Sequence, residues 1–275
     1  MSGGIQACGY LLELSLDWIV ERASENVHHL LGESHVTLID EPLGRFVQSQ
    51  ALHDLRNLFS RLSGTTGIAR AYRVRLTDDP DLFDIAFQQH GDRVLLEAVP
   101  SPGEGLGEAL SAVGGLADGL TRESGSKFLD AAVRRMRALT AFDRVTLLVG
   151  RSKATSSRPG VPFRPGANAT LSSDLPYLVA DASAAVVPLF PREPDDAAIA
   201  LALLRAPSAE QLAELAERGF GSTMRVPVRF GDKRVGEFRL AHIKSRRANF
   251  EVHAAAELFA QMFAMQLQLD REKAD

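Results

Sequence analysis

Cysteine, basic charge and long apolar runs are all scarce in this chain. Cys8 is the only cysteine among 275 residues, which excludes an internal disulfide and a thiolate metal cage and fits a reducing compartment. Lys and Arg number 31 against 35 Asp and Glu, so no basic excess points to nucleic acid or an anionic membrane. No apolar run approaches the roughly 18–20 residues of a membrane span. We therefore expect a cytoplasmic protein without nucleic-acid or membrane partners.

Signatures of catalysis are missing as well. No nucleophile–base set, paired carboxylates or Gly-x-Gly-x-x-Gly loop occurs, and the adjacent His28 and His29 would point to different faces of a helix and cannot form a metal pair. The sequence therefore predicts neither an enzyme nor a metal site. Hydrophobic residues make up 45% and charged residues 24%, which is enough to bury the core of one large or two ordinary domains.

Residues 1–102 show the pattern of an antiparallel sheet with short helices. Alternating apolar and polar residues predict strands in GYLLELS, WIVERAS, ARAYRVRLT, LFDIAFQQHG and DRVLLEAV, with a turn at Gly91. A serine cap and a closing glycine predict a helix over 24–32, and leucines at helical spacing predict a second helix over 50–62. We expect the first of two α+β domains here.

Residues 103–125 read as a connecting helix, and residues 126–275 as a second α+β domain. Helices are predicted over 126–141 and 208–219, and strands in DRVTLLV, YLVADAS, AVVPLF, STMRVPVRFG and KRVGEFRLAHI. A long final helix is predicted over 249–273. Its apolar stripe is wider than one sheet face would cover. That stripe comprises Phe250, Ala254, Leu258, Met262, Met265 and Leu269, broadened by Phe259, Phe263 and Leu267.

Six stretches in a fixed order are similar to one family. They are GGIQACGYLLEL, RASENVHHLLG, DEPLGRFV, a helix ending in FDRV, LVADASAAVVPL, and the run from LRAPSAEQL to FAMQL. Together they resemble the PAS–GAF half of the phytochrome photosensory core, chiefly its bacterial, biliverdin-binding branch. The resemblance implies a PAS domain over 1–102 and a GAF domain over 126–275. It also implies that the final helix pairs two subunits, through Phe250, Leu258, Met262, Met265 and Leu269.

The chain departs from the family at the positions that hold the pigment. Neither family position for the attachment cysteine carries one here, and Cys8 stands in place of a PAS histidine. The family's aspartate–isoleucine–proline motif aligns with Phe163, Arg164 and Pro165. The arginine that meets a propionate falls at Tyr177, and the histidine of the pocket helix at Gln211. Of a histidine pair, only His242 remains.

These departures predict a degenerate regulatory module without a cofactor, which signals through contact with another copy or a related sensory protein. On that interpretation Phe163, Leu171, Leu175, Tyr177 and the apolar run 201–204 fill the pocket. The alternative is a sensor that binds biliverdin, haem or another small molecule non-covalently in the pocket of Phe163, Arg164, Pro165, Tyr177, Gln211 and His242. A spectrum of the purified protein separates the two.

Three smaller expectations concern loops and ends. A strand and a loop of the usual GAF domain look deleted between DRVTLLVG and RPGVPF, leaving RSKATSSRPG. The loop 191–207, through which family members thread an N-terminal segment, is expected to be unthreaded and mobile. Since the sequence starts at the PAS motif and stops at LDREKAD, we expect neither a preceding segment nor a following PHY or kinase domain.

Overall fold

A computed structural model describes residues 3–61, 67–102, 107–123, 125–161, 176–193 and 198–272. The chain forms two compact units. The first contains residues 1–102, 183–208 and 247–250, and the second contains residues 103–182, 209–246 and 251–275. Among the described helices, none has both the length and the hydropathy needed to cross a membrane.

The first unit is built on an antiparallel sheet, as predicted. Its strands, numbered along the chain, lie in the order β1-β10-β3-β2-β6-β5-β4. Their bounds are β1 Gly4–Gln6, β2 Tyr10–Ser15, β3 Val20–Ser24, β4 Ala69–Val74, β5 Phe83–His90, β6 Arg93–Pro100 and β10 Val186–Phe190. Gly91, at a φ of 59°, closes the β5–β6 hairpin in the left-handed conformation that glycine tolerates best.

Short helices cover one face of this sheet. They are α1 His28–Leu31, α2 His35–Leu38 and α3 Ser49–Phe59. Alternate residues of the strands, among them Leu12, Ile85 and Phe87, point into a core that Leu55 of α3 joins. The first helix is shorter than predicted because Ser24 belongs to β3. There its hydroxyl accepts a hydrogen bond from the Leu11 N–H at 3.1 Å, so it does not cap a helix.

The N-terminal strand lies between two stretches of the segment 183–208. β1 pairs with β10 on one side. On its other side the Gln6 N–H donates to the Leu204 carbonyl at 2.8 Å, and the Ala206 N–H donates to the Gly4 carbonyl at 2.9 Å. The prediction that the loop 191–207 stays unthreaded and free is therefore wrong for its described residues; 194–197 lie outside them. Backbone pairing holds it to the first sheet.

The second unit has a five-stranded antiparallel sheet in the order β8-β7-β12-β11-β9. The strands are β7 Arg144–Val149, β8 Ser152–Ser157, β9 Tyr177–Val179, β11 Ser222–Phe230 and β12 Lys233–His242. The helices are α4 Glu108–Asp118, α5 Gly125–Thr140, α6 Ala209–Arg218 and α7 Phe250–Glu272. The predicted long final helix is confirmed. The stretch expected to be a remnant loop instead forms β8, paired with β7 along its whole length.

Aromatic packing joins α5 and α7 to one face of the second sheet. The Phe128 and Phe263 rings stack at a centroid distance of 5.1 Å, and Phe238 of β12 meets Phe263 edge-on at 5.4 Å. Val145 and Leu147 of β7 are fully buried. Because side chains alternate along a strand, their neighbours Arg144, Thr146 and Leu148 are directed to the other face of the sheet.

Candidate functional site

The other face of the second sheet and the helix α6 enclose a cavity of about 320 Å³. Helical spacing brings Gln211, Glu214, Leu215 and Arg218 of α6 to it, at positions i, i+3, i+4 and i+7. The remaining described lining residues lie on the strands, except Phe220, which lies between α6 and β11: Arg144, Thr146, Leu148, Lys153, Thr155, Tyr177, Phe220, Thr223, Arg225, Arg239, Leu240 and Ala241.

Positive charge dominates this wall. Of the described residues that line the cavity, five are cationic and only Glu214 is acidic. The cationic residues are Arg144, Lys153, Arg218, Arg225 and Arg239. Beside them, Glu237 forms ion pairs with Arg239 and with Arg234. Even with Glu237 counted, the described residues of the wall carry more positive than negative charge.

Arg225 shares its carboxylate partner. Its Nη2 lies 3.3 Å from Glu214 Oε2, while Glu214 Oε1 also receives Arg218 Nη2 at 3.0 Å. The Arg225 side chain is only 12% exposed, and its Nη1 is buried without a hydrogen-bond partner. Burial lowers the pKa of Arg225 and outweighs the opposing effect of Glu237 and Glu214. Arg225 is therefore a buried cation that its surroundings leave incompletely satisfied.

Arg144 extends the positive wall to the neighbouring strand. Its Nε donates to Ser157 Oγ at 3.0 Å, and its guanidinium lies 5.4 Å from the centre of the Phe220 ring. Burial, and after it the charge of Arg218, lowers the pKa of Arg144. Arg144 and Arg218 therefore repel each other, as expected where cationic side chains lie close together.

The structure brings together two of the six predicted pocket residues. The Tyr177 hydroxyl donates to Gln211 Oε1 at 2.9 Å, and both side chains line the cavity. These positions, aligned with the family's arginine and histidine, therefore face one space. Phe163, Arg164 and Pro165 lie outside the described residues, as do Leu171 and Leu175, so their predicted roles stay predictions.

His242, which the alternative interpretation places in the pocket, is not among the described residues that line the cavity. The Lys244 N–H donates to His242 Nδ1 at 3.1 Å, and Nε2 lies 3.4 Å from Asp143 Oδ2. The ring also meets Phe142 edge-on at 6.4 Å. These contacts fix the imidazole at the end of β12 instead. Among the described residues that line the cavity there is no histidine, and no metal-binding group of His, Cys, Asp and Glu occurs in the described part of the chain.

The apolar run 201–204 does not fill the cavity either. It belongs to the first unit, where the N–H groups of Leu203 and Leu204 donate to the buried carboxylate of Glu97.

The residues of α7 that were predicted to pair two subunits differ in their exposure. Phe250 is fully buried within the chain and cannot belong to an exposed face. Leu258, Met265 and Leu269 are exposed, and Met262 is half-buried beside them.

Sequence reasoning missed the cations on β8, β11 and β12. The signal was present in the alternation of STMRVPV and GEFRLAH, where buried Val226 and Phe238 flank Arg225 and Arg239. A charged residue between two core positions of a strand must point to the face opposite the core. Arg225 and Arg239 are cross-strand partners, so both face the same side.

Family models cover nearly all of the chain. The model described as GAF domain matches residues 125–269, and the model described as PAS fold matches residues 1–100. The chain belongs to the GAF domain family. A PAS fold precedes the GAF domain, so the chain combines the two in that order. Among curated proteins none is detectably similar in sequence.

Solved bacterial phytochromes share the fold. The chromophore-binding domain of an unusual bacteriophytochrome from R. palustris is 22% identical with a TM-score of 0.80, over 98% of this chain and 96% of that one. The chromophore-binding domain of Stigmatella aurantiaca phytochrome P1 is also 22% identical at a TM-score of 0.80, over 96% and 95%. The S. aurantiaca photosensory core module, at 22% identity and a TM-score of 0.82, is matched over 99% of this chain but 59% of its own length.

Proposed function

We propose that this PAS–GAF module signals as a dimer, in which α7 pairs with α7 of a second copy, and that it holds no covalently attached bilin. The exposed apolar face of α7 carries the proposal. Leu258, Met265 and Leu269 are 41%, 61% and 49% exposed, although they are large aliphatic side chains. A soluble domain rarely leaves such a row unpartnered.

The spacing of the row fits helix pairing. Positions 258, 262, 265 and 269 alternate steps of four and three residues, which is the seam of a coiled coil. The opposite side of α7, with Phe259 and Phe263, is buried within the chain. The helix therefore packs on its own domain through one face and exposes a second apolar face. From Leu258 to Leu269 the sequence has no charged residue that would oppose a second copy. These features favour a homodimer or a closely related partner.

The variant Leu258→Asp/Met265→Asp tests the dimer. We expect the wild-type protein to elute as a dimer in size-exclusion chromatography with light scattering, and the variant as a folded monomer, because two buried carboxylates per chain would be unpaired at the seam. Val36→Asp, which places the same charge on an exposed apolar position of α2, is the matched control and should stay dimeric. A monomeric wild-type protein contradicts the proposal.

The second part of the proposal, that no bilin is attached covalently, rests on the position of the only cysteine. Cys8 lies between β1 and β2, in place of a PAS histidine, and neither family position for the attachment cysteine carries one. After coexpression with a biliverdin source, we expect no zinc-dependent bilin fluorescence on a denaturing gel, and the same result for Cys8→Ser. Fluorescence in the wild-type lane that Cys8→Ser abolishes would contradict this part of the proposal.

A further inference from the structure

We propose that the cavity between the second sheet and α6 binds a compact oxyanion ligand with at least two negative charges, held by Lys153, Arg225 and Arg239. This site is independent of the dimer proposed above, since none of its residues lies on α7. The ligand chemistry is that of clustered carboxylate or phosphate groups. Four observations lead to it: the charge of the cavity wall, the hydrogen bonding of Arg225, the access to the cavity and its volume.

Charge comes first. Among the described residues that line the cavity, five side chains are cationic and one, Glu214, is a carboxylate. Glu214 itself forms ion pairs with two of these cations, Arg218 and Arg225. Mutual repulsion of like charges in a partly buried space costs stability, and an entering anion removes that cost. The excess of positive charge thus fits an anionic occupant.

A buried donor without a hydrogen-bond partner also favours an anionic ligand. A buried donor without an acceptor costs about 1–3 kcal/mol, and more when it is charged. Arg225 Nη1 is such a donor, on a side chain that lines the cavity. The guanidinium fork binds the two oxygens of a carboxylate or phosphate in parallel. Glu214 occupies Nη2 only, so one edge of the fork remains for an external oxygen.

Access is provided on the β8 side. Lys153 and Thr155 line the cavity and are exposed. Lys153 has no ion pair among the described residues, so its ammonium is able to meet a charged ligand at the rim. A deep arginine and a rim lysine together suit a molecule with two separate acidic groups better than a monovalent ion.

Size limits the ligand to a small molecule. A volume of about 320 Å³ lies at the lower end of the range of roughly 300–1,000 Å³ for small-molecule pockets. Three threonine hydroxyls, of Thr146, Thr155 and Thr223, supply further polar groups on the wall. A compact polyanion fills such a space with its charged groups near the cations.

Calorimetric titration tests the proposal with two probes, inorganic pyrophosphate for phosphate chemistry and citrate for carboxylate chemistry. Sodium chloride at equal ionic strength serves as the baseline. We expect one probe or both to bind at one molecule per chain, and the stronger probe identifies the preferred group. Arg225→Gln should weaken binding by about tenfold or more, the loss expected when one charge-assisted hydrogen bond is removed. Lys153→Gln should weaken it by roughly threefold or more.

Matched controls come from the same sheet. Arg229→Gln lies on β11 outside the cavity, and Lys233→Gln lies at the exposed start of β12; both should bind like the wild-type protein. Lys153→Gln changes an exposed side chain and is expected to leave the fold intact, so a loss of binding there points to the ligand site. The proposal is overturned if neither probe binds above the chloride baseline, or if Arg225→Gln and Lys153→Gln both bind as tightly as the controls.

Discussion

Replacing Arg22 with Met is expected to lower the free energy of unfolding by about 3 kcal/mol. Arg22 on β3 and Glu13 on β2 form a buried ion pair, with Nη1 and Oε2 3.3 Å apart and side chains that are 2% and 0% exposed. Removing one member of such a pair costs about 3–5 kcal/mol, because the other charge stays buried. We expect the lower end, since Arg93 still donates to Glu13 Oε1 at 2.7 Å.

Chemical denaturation monitored by circular dichroism measures this change. Arg22 Nε also donates to the Pro191 carbonyl at 2.9 Å, so hydrogen exchange should accelerate around residues 186–193 as well. Arg45→Met, which breaks an exposed pair with Glu41 on the surface of the same unit, is the control and should leave the denaturation midpoint unchanged. An equal midpoint for Arg22→Met and Arg45→Met would contradict the importance of the buried pair.

The double variant Glu13→Leu/Arg22→Met separates charge from packing. If the cost of Arg22→Met comes from leaving Glu13 short of a cation, then removing that carboxylate as well should recover part of the stability. If the two losses simply add, the side chains act through their volume instead. The double variant also affects Arg93, because it removes the ion pair of Arg93 with Glu13 but leaves those with Glu21 and Glu193.

The longer strands of the first unit were predictable because apolar and polar residues alternate along them. β1 and β10 were not predictable as partners. A strand of three residues carries little pattern, and its neighbour Val186–Phe190 lies about 180 positions along the chain. β8 was missed because SKATSS has only one apolar residue, Ala154, so nothing in its composition separates it from a loop. Its backbone pairing with β7 forms the strand.

The candidate site was predictable only in part. Alignment with the phytochrome family brought Tyr177 and Gln211 to one pocket, and their hydrogen bond agrees. The run 201–204 was misplaced because an apolar run does not identify the core that buries it. What places it is the polar acceptor Glu97, more than a hundred residues earlier, and no local pattern connects the two.

Glu97→Ala is expected to lower the free energy of unfolding by about 3 kcal/mol or more, and to release the segment that surrounds β1. Glu97 Oε1 accepts the Leu203 N–H at 2.9 Å, and Oε2 accepts the Leu204 N–H at 2.7 Å. Gln88 Nε2 adds a third donor at 3.3 Å. Alanine leaves the N–H groups of Leu203 and Leu204 buried without these acceptors, at about 1–3 kcal/mol for each one that finds no water, whereas Gln88 Nε2 keeps the Leu201 carbonyl at 3.1 Å. Denaturation midpoints and hydrogen exchange at 201–206 measure both effects.

The same carboxylate should make stability depend on pH in a direction that its hydrogen bonds alone would not suggest. Burial raises the pKa of Glu97 above its ordinary value of 4.5 and outweighs the opposing donors and Arg205. The folded state therefore holds the proton more tightly than the unfolded chain does. Its contribution to stability is largest below pH 4.5 and declines as the pH rises through the raised pKa.

Glu97→Gln isolates this titration. Across pH 4 to 8, the free energy of unfolding of the wild-type protein should fall relative to that of Glu97→Gln, because only the wild type must bury a negative charge as the pH rises. Glu33→Gln, at an exposed position of the same unit, should show no such trend against the wild type. A difference that grows in favour of the wild type with rising pH would mean that the donors of Leu203 and Leu204 outweigh burial, and that Glu97 holds the segment as a permanent anion.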